Sequence, residues 1–190
     1  TFSIAEKTGA IKKFPLGQVF RRYWKQLILG TFIMLATYVL FYLMTVWTLS
    51  YGTAATDAPT PGLGFTYVDF VIMQIVGVVF FGIFTLLSGP VADAIGRRKL
   101  LIWITAAIIV FGGLFTVFLL PQADPKFTGA LMQGFLIFGF TLMGATFGPM
   151  GALLPELFPT NVRYTGSAVS YNVSSILGAA VAPFIAVALW

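Results

Sequence analysis

Residues 27–49 form a run of 23 positions without a charged side chain. At a rise of about 1.5 Å per residue, a helix of that length crosses a hydrocarbon core about 30 Å thick. Four further apolar runs follow, at 67–88, 100–120, 128–154 and 164–190, separated by short polar joints. In lipid the chain has to satisfy its own backbone hydrogen bonds, which leaves helices or a closed barrel. A barrel alternates apolar and polar positions over roughly ten residues, and these runs do not. The pattern therefore dictates an all-α, polytopic membrane helix bundle. Only 9% of the 190 residues are charged and mean hydropathy is +0.94, whereas soluble domains carry about 25% charged residues.

The charges that remain are segregated. Lys7, Lys12, Lys13, Arg21, Arg22 and Lys25 precede the first span, and Arg97, Arg98 and Lys99 follow the second. The joints at 50–65 and 121–127 hold only one cation, Lys126. Cations mark the cytoplasmic side, so the N-terminal linker is expected there, with Trp190 on the far side. A net charge of +5 distributed in this way suits anionic headgroups and chain orientation rather than nucleic acid. The expected organisation is a linker and interfacial helix over 1–25, then five spans within 26–190. In that first part Pro15 precedes Arg21, Arg22, Tyr23, Trp24 and Lys25. These residues read either as a helix lying at headgroup level or as an ordinary basic leader. The opening residues are mixed and polar, unlike a secretory leader, and do not begin with Met. The chain is expected to be a piece of a longer protein.

Cys and His are both absent, which removes disulfides, thiolate and imidazole metal sites and His-based triads. Hydroxyls occur in the spans, but no Lys, Asp, Cys or His lies in mid-helix to act as nucleophile or base. An intramembrane enzyme is excluded on these grounds, and neither a metal site nor a cofactor is expected. Gln74, in the second span, and Asn172, in the fifth, are singled out because an amide facing lipid is costly.

The fourth span carries Gly129, Gly134, Gly139, Gly144, Gly148 and Gly151, with Pro149 near its end. Gly144 and Gly148 make a small-xxx-small pair suited to close helix approach. Pro149 withdraws a donor from the helix ladder and is expected to bend or loosen it. The other reading is that glycine and proline are simply commoner in membrane helices.

Two joints face the same side. One is Gly89-Pro90-Val91-Ala92-Asp93-Ala94-Ile95-Gly96-Arg97-Arg98-Lys99, read as a short charged turn. The other runs from Pro155 and Glu156 through Pro159 to Arg163. The arrangement suggests Asp93 against the start of the fifth span, where free amides attract negative charge. Arg97 or Arg98 would then reach Glu156, with Gly89 permitting the approach. The alternative is that these are solvated stop-transfer charges, weak as pairs. From spacing alone both readings stand.

The Gly89-x-x-x-Asp93-x-x-Gly96-Arg97-Arg98-Lys99 pattern resembles the signature loop of the major facilitator superfamily, found between the second and third helices of each six-helix half. Pro155-Glu156-Leu157-Phe158-Pro159-Thr160-x-x-Arg163-Tyr164-Thr165-Gly166 is similar to the segment between the tenth and eleventh helices of its metabolite:proton symporter branch. That branch includes carriers for α-ketoglutarate, shikimate, citrate and proline/betaine. Tyr171-Asn172 and the Gly178 to Pro183 stretch are also similar to it, whereas Tyr164-Thr165-Gly166 departs from the sugar porters. The resemblance places the chain as helices seven to eleven of twelve, part of the C-terminal half, in the cell's inner (plasma) membrane.

The resemblance implies secondary active transport of a small polar metabolite, an organic acid or zwitterion, by proton-coupled symport with alternating access. The alternative function is a channel-like or non-transporting membrane protein. By motif position, a cytoplasmic latch falls on Gly89, Asp93, Gly96, Arg97 and Arg98, with Glu156 and Arg163 as partners. Pro90 sits at a variable position of the motif and is expected to end the second span early. Cavity candidates, chosen on depth and chemistry, are Tyr38, Tyr42, Gln74, Tyr171 and Asn172. The tyrosines are equally open to a packing role. No span buries an ionisable proton carrier, so the proton site is expected in the missing N-terminal half. The implied partners are the substrate, the bilayer and that half.

Overall fold

The computed structural model describes residues 15–119 and 124–189. The linker over 1–14, joint residues 120–123 and Trp190 lie outside the described residues, and with them Lys7, Lys12 and Lys13. Among the described residues every regular element is helical. In order these are α1 (Pro15–Arg22), α2 (Trp24–Tyr42), a π-helical turn (Leu43–Trp47), α3 (Thr48–Thr53), α4 (Tyr67–Ile95), α5 (Arg97–Gly113), α6 (Phe115–Leu119), α7 (Pro125–Glu156) and α8 (Arg163–Leu189).

Among the described residues four stretches are long and apolar enough to cross a membrane: Trp24–Thr53, Tyr67–Ile95, Pro125–Glu156 and Arg163–Ala188. The apolar run at 100–120 is divided instead. Helix α5 ends at Gly113, directly after Gly112, and α6 begins beyond Leu114, whose φ of −91° and ψ of 0° lie at the edge of helical space. Two consecutive glycines, the poorest helix formers after proline, precede that break.

Local signals account for the helix ends. Thr66 caps α4 by accepting from the Asp69 N–H at 3.2 Å and donates its own hydroxyl to the Asp69 carboxylate at 2.6 Å. Asp69 is thus the partner of the cap through both its N–H and its carboxylate. Asp124 caps α7 by accepting from the Lys126 N–H at 2.9 Å.

The Gly89–Lys99 stretch is mostly helix rather than a turn. Helix α4 continues through Pro90 to Ile95, and Gly96 alone separates it from α5. Gly96 has φ +93°, a backbone conformation that side chains disfavour. Pro90 does not end the helix early: it forgoes one ladder bond while the bond from the Gly96 N–H to the Ala92 carbonyl, at 2.9 Å, closes the final turn.

Helix α4 packs chiefly on α7, and α2 on α8. A Cβ at Gly144 would lie 2.4 Å from the Phe81 carbonyl oxygen, and one at Gly148 2.4 Å from that of Thr85. Backbones this close need glycine. Ser88 donates to the Thr85 carbonyl at 3.1 Å and to the Gly144 carbonyl at 3.4 Å, tying the two helices. The principal core lies beside this contact and includes Phe70, Phe111, Met132, Phe135, Leu136 and Phe140. Phe135 meets Phe111 and Phe115 with ring centroids 4.8 Å apart in each case. Large apolar side chains cover the outside, among them Leu86, Trp103, Ile109 and Phe184, as a lipid-facing bundle requires.

Candidate functional site

Two groups of polar side chains stand out against this apolar frame. The first lies where α4, α5 and α7 end on one side. Arg97, the first residue of α5, donates from Nη1 to Glu156 Oε1 at the last residue of α7. Its Nη2 lies 3.4 Å from Asp93 Oδ1 in the final turn of α4. One guanidinium therefore joins three helix ends, a task its fork of donors fits. The Arg97 side chain is 29% exposed, that of Asp93 71% and that of Glu156 58%. The hydrogen bond to Glu156 is the foremost cause holding Arg97 above its usual, already high, pKa, with Asp93 adding to it. The guanidinium stays charged at any physiological pH.

The other residues of the motif take different places. Arg98 and Lys99 are exposed. Arg163 donates from Nε to the Phe158 carbonyl at 3.3 Å, bracing the α7–α8 joint from the first residue of α8. A Cβ on Gly89 would meet nothing within 4 Å. The close approach expected of Gly89 occurs instead on α7, where Gly144 and Gly148 meet Phe81, Thr85 and Ser88 of α4. The joint is packed from both sides: Phe158 and Val162 are buried with Val19 of α1 and Leu27 of α2, and Gly166 admits the Phe158 ring.

The second group is deeper, between α2, α7 and α8. Tyr38 and Tyr171 meet edge to face, ring centroids 5.3 Å apart. The Tyr38 hydroxyl is buried without an aligned hydrogen-bond partner, with Tyr171 and Ser175 as its polar neighbours. Tyr171 also lines a cavity of about 360 Å³, with Thr85, Phe147, Gly148, Tyr164 and Ser167. Thr37 donates to Thr146 at 3.0 Å, and Ser174 to the Thr31 carbonyl at 2.7 Å, fastening α2 to α7 and α8.

The remaining cavity candidates are dispersed. Tyr42 packs edge to face with Phe41 at 5.2 Å. Asn172 is exposed and donates to the Ala168 carbonyl of its own helix at 2.8 Å. Gln74 donates across to the Met44 and Thr45 carbonyls, both at 2.9 Å. Gln74 thus places both of its amide hydrogens, and Asn172 one, on backbone oxygens. Ser167, Ser175 and Thr85 were not singled out from the sequence. The signal was present: Ser167, Tyr171 and Ser175 recur every four residues and share one helical face.

With this geometry in view, the comparisons agree on the family. The sugar (and other) transporter family matches residues 8–189. The chain belongs to that family, within the major facilitator superfamily, whose members are transporters and not enzymes. It is 50% identical over 186 residues to the inner membrane metabolite transport protein YhjE of Escherichia coli, covering 96% of this chain and 41% of that protein. It is 44% identical over 188 residues to a putative metabolite transport protein of Haemophilus influenzae, covering 97% of this chain and 42% of the relative. A citrate-proton symporter of Salmonella typhi is 28% identical over 166 residues, covering 87% of this chain and 36% of that protein. The chain thus spans about two fifths of the length of the first two relatives. No solved structure is significantly similar to it.

Proposed function

We propose that the chain is part of the C-terminal half of a secondary active carrier that moves a small polar metabolite, an organic acid or zwitterion, by proton-coupled symport. The observation that carries this reading is the Arg97 bridge: a charge-assisted tie across helix ends that an immobile scaffold or a channel does not need. In an alternating-access cycle such a tie closes the cytoplasmic side and releases when that side opens. Asp93, Arg97 and Glu156 form the latch, Gly96 sets the turn, and Arg163 braces the adjoining joint. Arg98, exposed beside them, faces the missing N-terminal half or the headgroups. Substrate class is supported by relatives named as a citrate-proton symporter and a proline/betaine transporter. Tyr38 and Tyr171 are the leading substrate contacts. Tyr42 flanks them and Asn172 offers its carbonyl oxygen, whereas Gln74, with both N–H groups on the first span, is left out of the substrate contacts. The proton is the coupling ion and no other cofactor takes part. The carrier sits in the bacterial inner membrane with its N-terminal linker in the cytoplasm.

The decisive test uses the intact carrier in proteoliposomes, with spin labels on the cytoplasmic ends of the two halves. Glu156→Gln is expected to shift the distance distribution toward the cytoplasm-open state. A distribution unchanged from the parent protein, with unchanged uptake, would leave Arg97 as a solvated charge and remove the latch. Current steps at single-channel size would favour the channel alternative. Orientation is checked separately. A cysteine at Lys99 is expected to be shielded from an impermeant thiol reagent in intact cells, while one at Thr60 reacts; the reverse pattern overturns the topology.

A further inference from the structure

Gln74 does not share the fate of a glutamine that merely tolerates lipid. The span Trp24–Thr53 is interrupted by the π-helical turn Leu43–Trp47. There the Thr48 N–H bonds to the Leu43 carbonyl, five residues back. The Met44 carbonyl, four residues back, is thereby deprived of its ordinary α-helical donor. Two side chains supply it instead: the Thr48 hydroxyl at 2.6 Å and the Gln74 amide at 2.9 Å. The same amide serves the Thr45 carbonyl at 2.9 Å. Both N–H groups of Gln74 are therefore directed at the irregular stretch of a neighbouring helix. The turn is wedged on its other side as well, since Met44 lies against Gly139 of α7 so closely that a Cβ there would sit 2.3 Å from its sulfur.

We propose that Gln74 is a positioning residue for transport: it holds the π-helical turn of the first span in register and so fixes how α3 sits relative to α2. A π-turn in an apolar span leaves carbonyls that lipid cannot satisfy. It persists where a neighbour provides donors, and Gln74 is the residue of α4 that does so. Residues on the two sides of the turn have different attachments. On α2, Tyr38 faces Tyr171 of α8. On α3, Tyr51 donates to the Leu119 carbonyl of α6, and Gly52 admits the Phe70 ring of α4. A change in the turn therefore alters the relation between the tyrosine pair and the outer end of the span. Its effect falls on the conformational step rather than on a substrate contact.

The experiment uses the intact carrier and the variant Gln74→Met, which keeps the length and volume of the side chain and removes its donors. Amide hydrogen exchange is read in detergent without any substrate. Two lost hydrogen bonds of ordinary net worth correspond to about tenfold or more faster exchange, expected over 43–50 while 163–175 is unchanged. The uptake arm rests on the carrier reading and uses radiolabelled citrate or proline, whichever the parent protein accumulates. Turnover is expected to fall about tenfold with the half-saturating concentration within about twofold. Exchange over 43–50 equal to the parent's would overturn the proposal. So would a raised half-saturating concentration with normal exchange, which would make Gln74 a substrate contact. Faster exchange in a protein that accumulates neither probe would support the positioning role and count against the carrier reading alone. Should Gln74→Met fail to accumulate in the membrane, Thr48→Val strips the second donor from the same carbonyl. Its exchange over 43–50 is expected to rise by a smaller factor, and no rise would overturn the proposal.

Discussion

The Arg97 bridge and the Gln74 tie each connect neighbouring helices through polar side chains, yet they work in opposite surroundings. Asp93, Arg97 and Glu156 meet at the end of the bundle, where 71% of the Asp93 side chain and 58% of the Glu156 side chain are exposed. Gln74 makes neutral bonds within the spans, at 2.9 Å to each of two backbone oxygens. Water and ions can replace the first set when it breaks. Nothing in lipid replaces the second. On the proposed carrier reading, the bridge suits repeated opening and the tie suits keeping one geometry.

If the dry middle carries stability and the charged end carries switching, the largest effect is expected from packing between the spans. Gly144→Leu pushes a side chain into the Phe81 backbone, 2.4 Å from the new Cβ. Backbone cannot swing aside, so the loss is expected at or beyond the upper end of the usual overpacking range, about 3 kcal/mol. Gly134→Leu, on the same helix where a Cβ meets nothing within 4 Å, serves as the control. Thermal unfolding in detergent compares them, and equal melting temperatures would break the contrast.

A smaller effect on stability, but a clear one on transport, is expected at the charged end. Arg97→Gln removes the group that meets both carboxylates, so turnover is expected to drop while the melting temperature barely moves. Raising salt should narrow the difference between Arg97→Gln and the parent protein. Arg98→Gln is expected to change uptake less, because Arg98 stands exposed beside the bridge rather than within it. Similar losses for both variants would mean that total charge on the turn matters, not the bridge.

The least change is expected between the two carboxylates. Glu156 takes the closer contact with Arg97, whereas Asp93 stands 3.4 Å away on a more exposed side chain. Glu156→Gln should therefore impair turnover more than Asp93→Asn. The reverse order would put the weight on the α4–α5 turn rather than on the link to α7.

Much of the frame is legible along the chain, because a membrane imposes its demands locally. Each spanning segment has to satisfy its own backbone, so its length and lack of charge are written in consecutive residues. The small-xxx-small pair at Gly144 and Gly148 names a close contact for the same reason: only a residue without a side chain admits one. The motif around Asp93 and Arg97 was readable as a resemblance, and the family match agrees with it. What the residues could not state is which surface each polar group would find. Spacing left Arg97 and Arg98 as equivalent partners for Glu156, and only Arg97, placed at the head of α5 by the single-residue turn at Gly96, reaches it.

The same division holds for Gln74. Its cost in lipid followed from the sequence alone, but its partners are on another span, 29 and 30 residues earlier. The π-turn that frees the Met44 carbonyl has no signature in the run from Leu43 to Trp47, since nothing in Leu-Met-Thr-Val-Trp excludes a regular helix. Sequence by itself determined the class of molecule, the all-α membrane bundle and its family. Tertiary structure decided which ends are tied, where the first span yields its regular geometry and which glutamine holds it. The physical reason is one of range: burial in lipid is demanded residue by residue, whereas a hydrogen bond between helices exists only once their packing has set the distance.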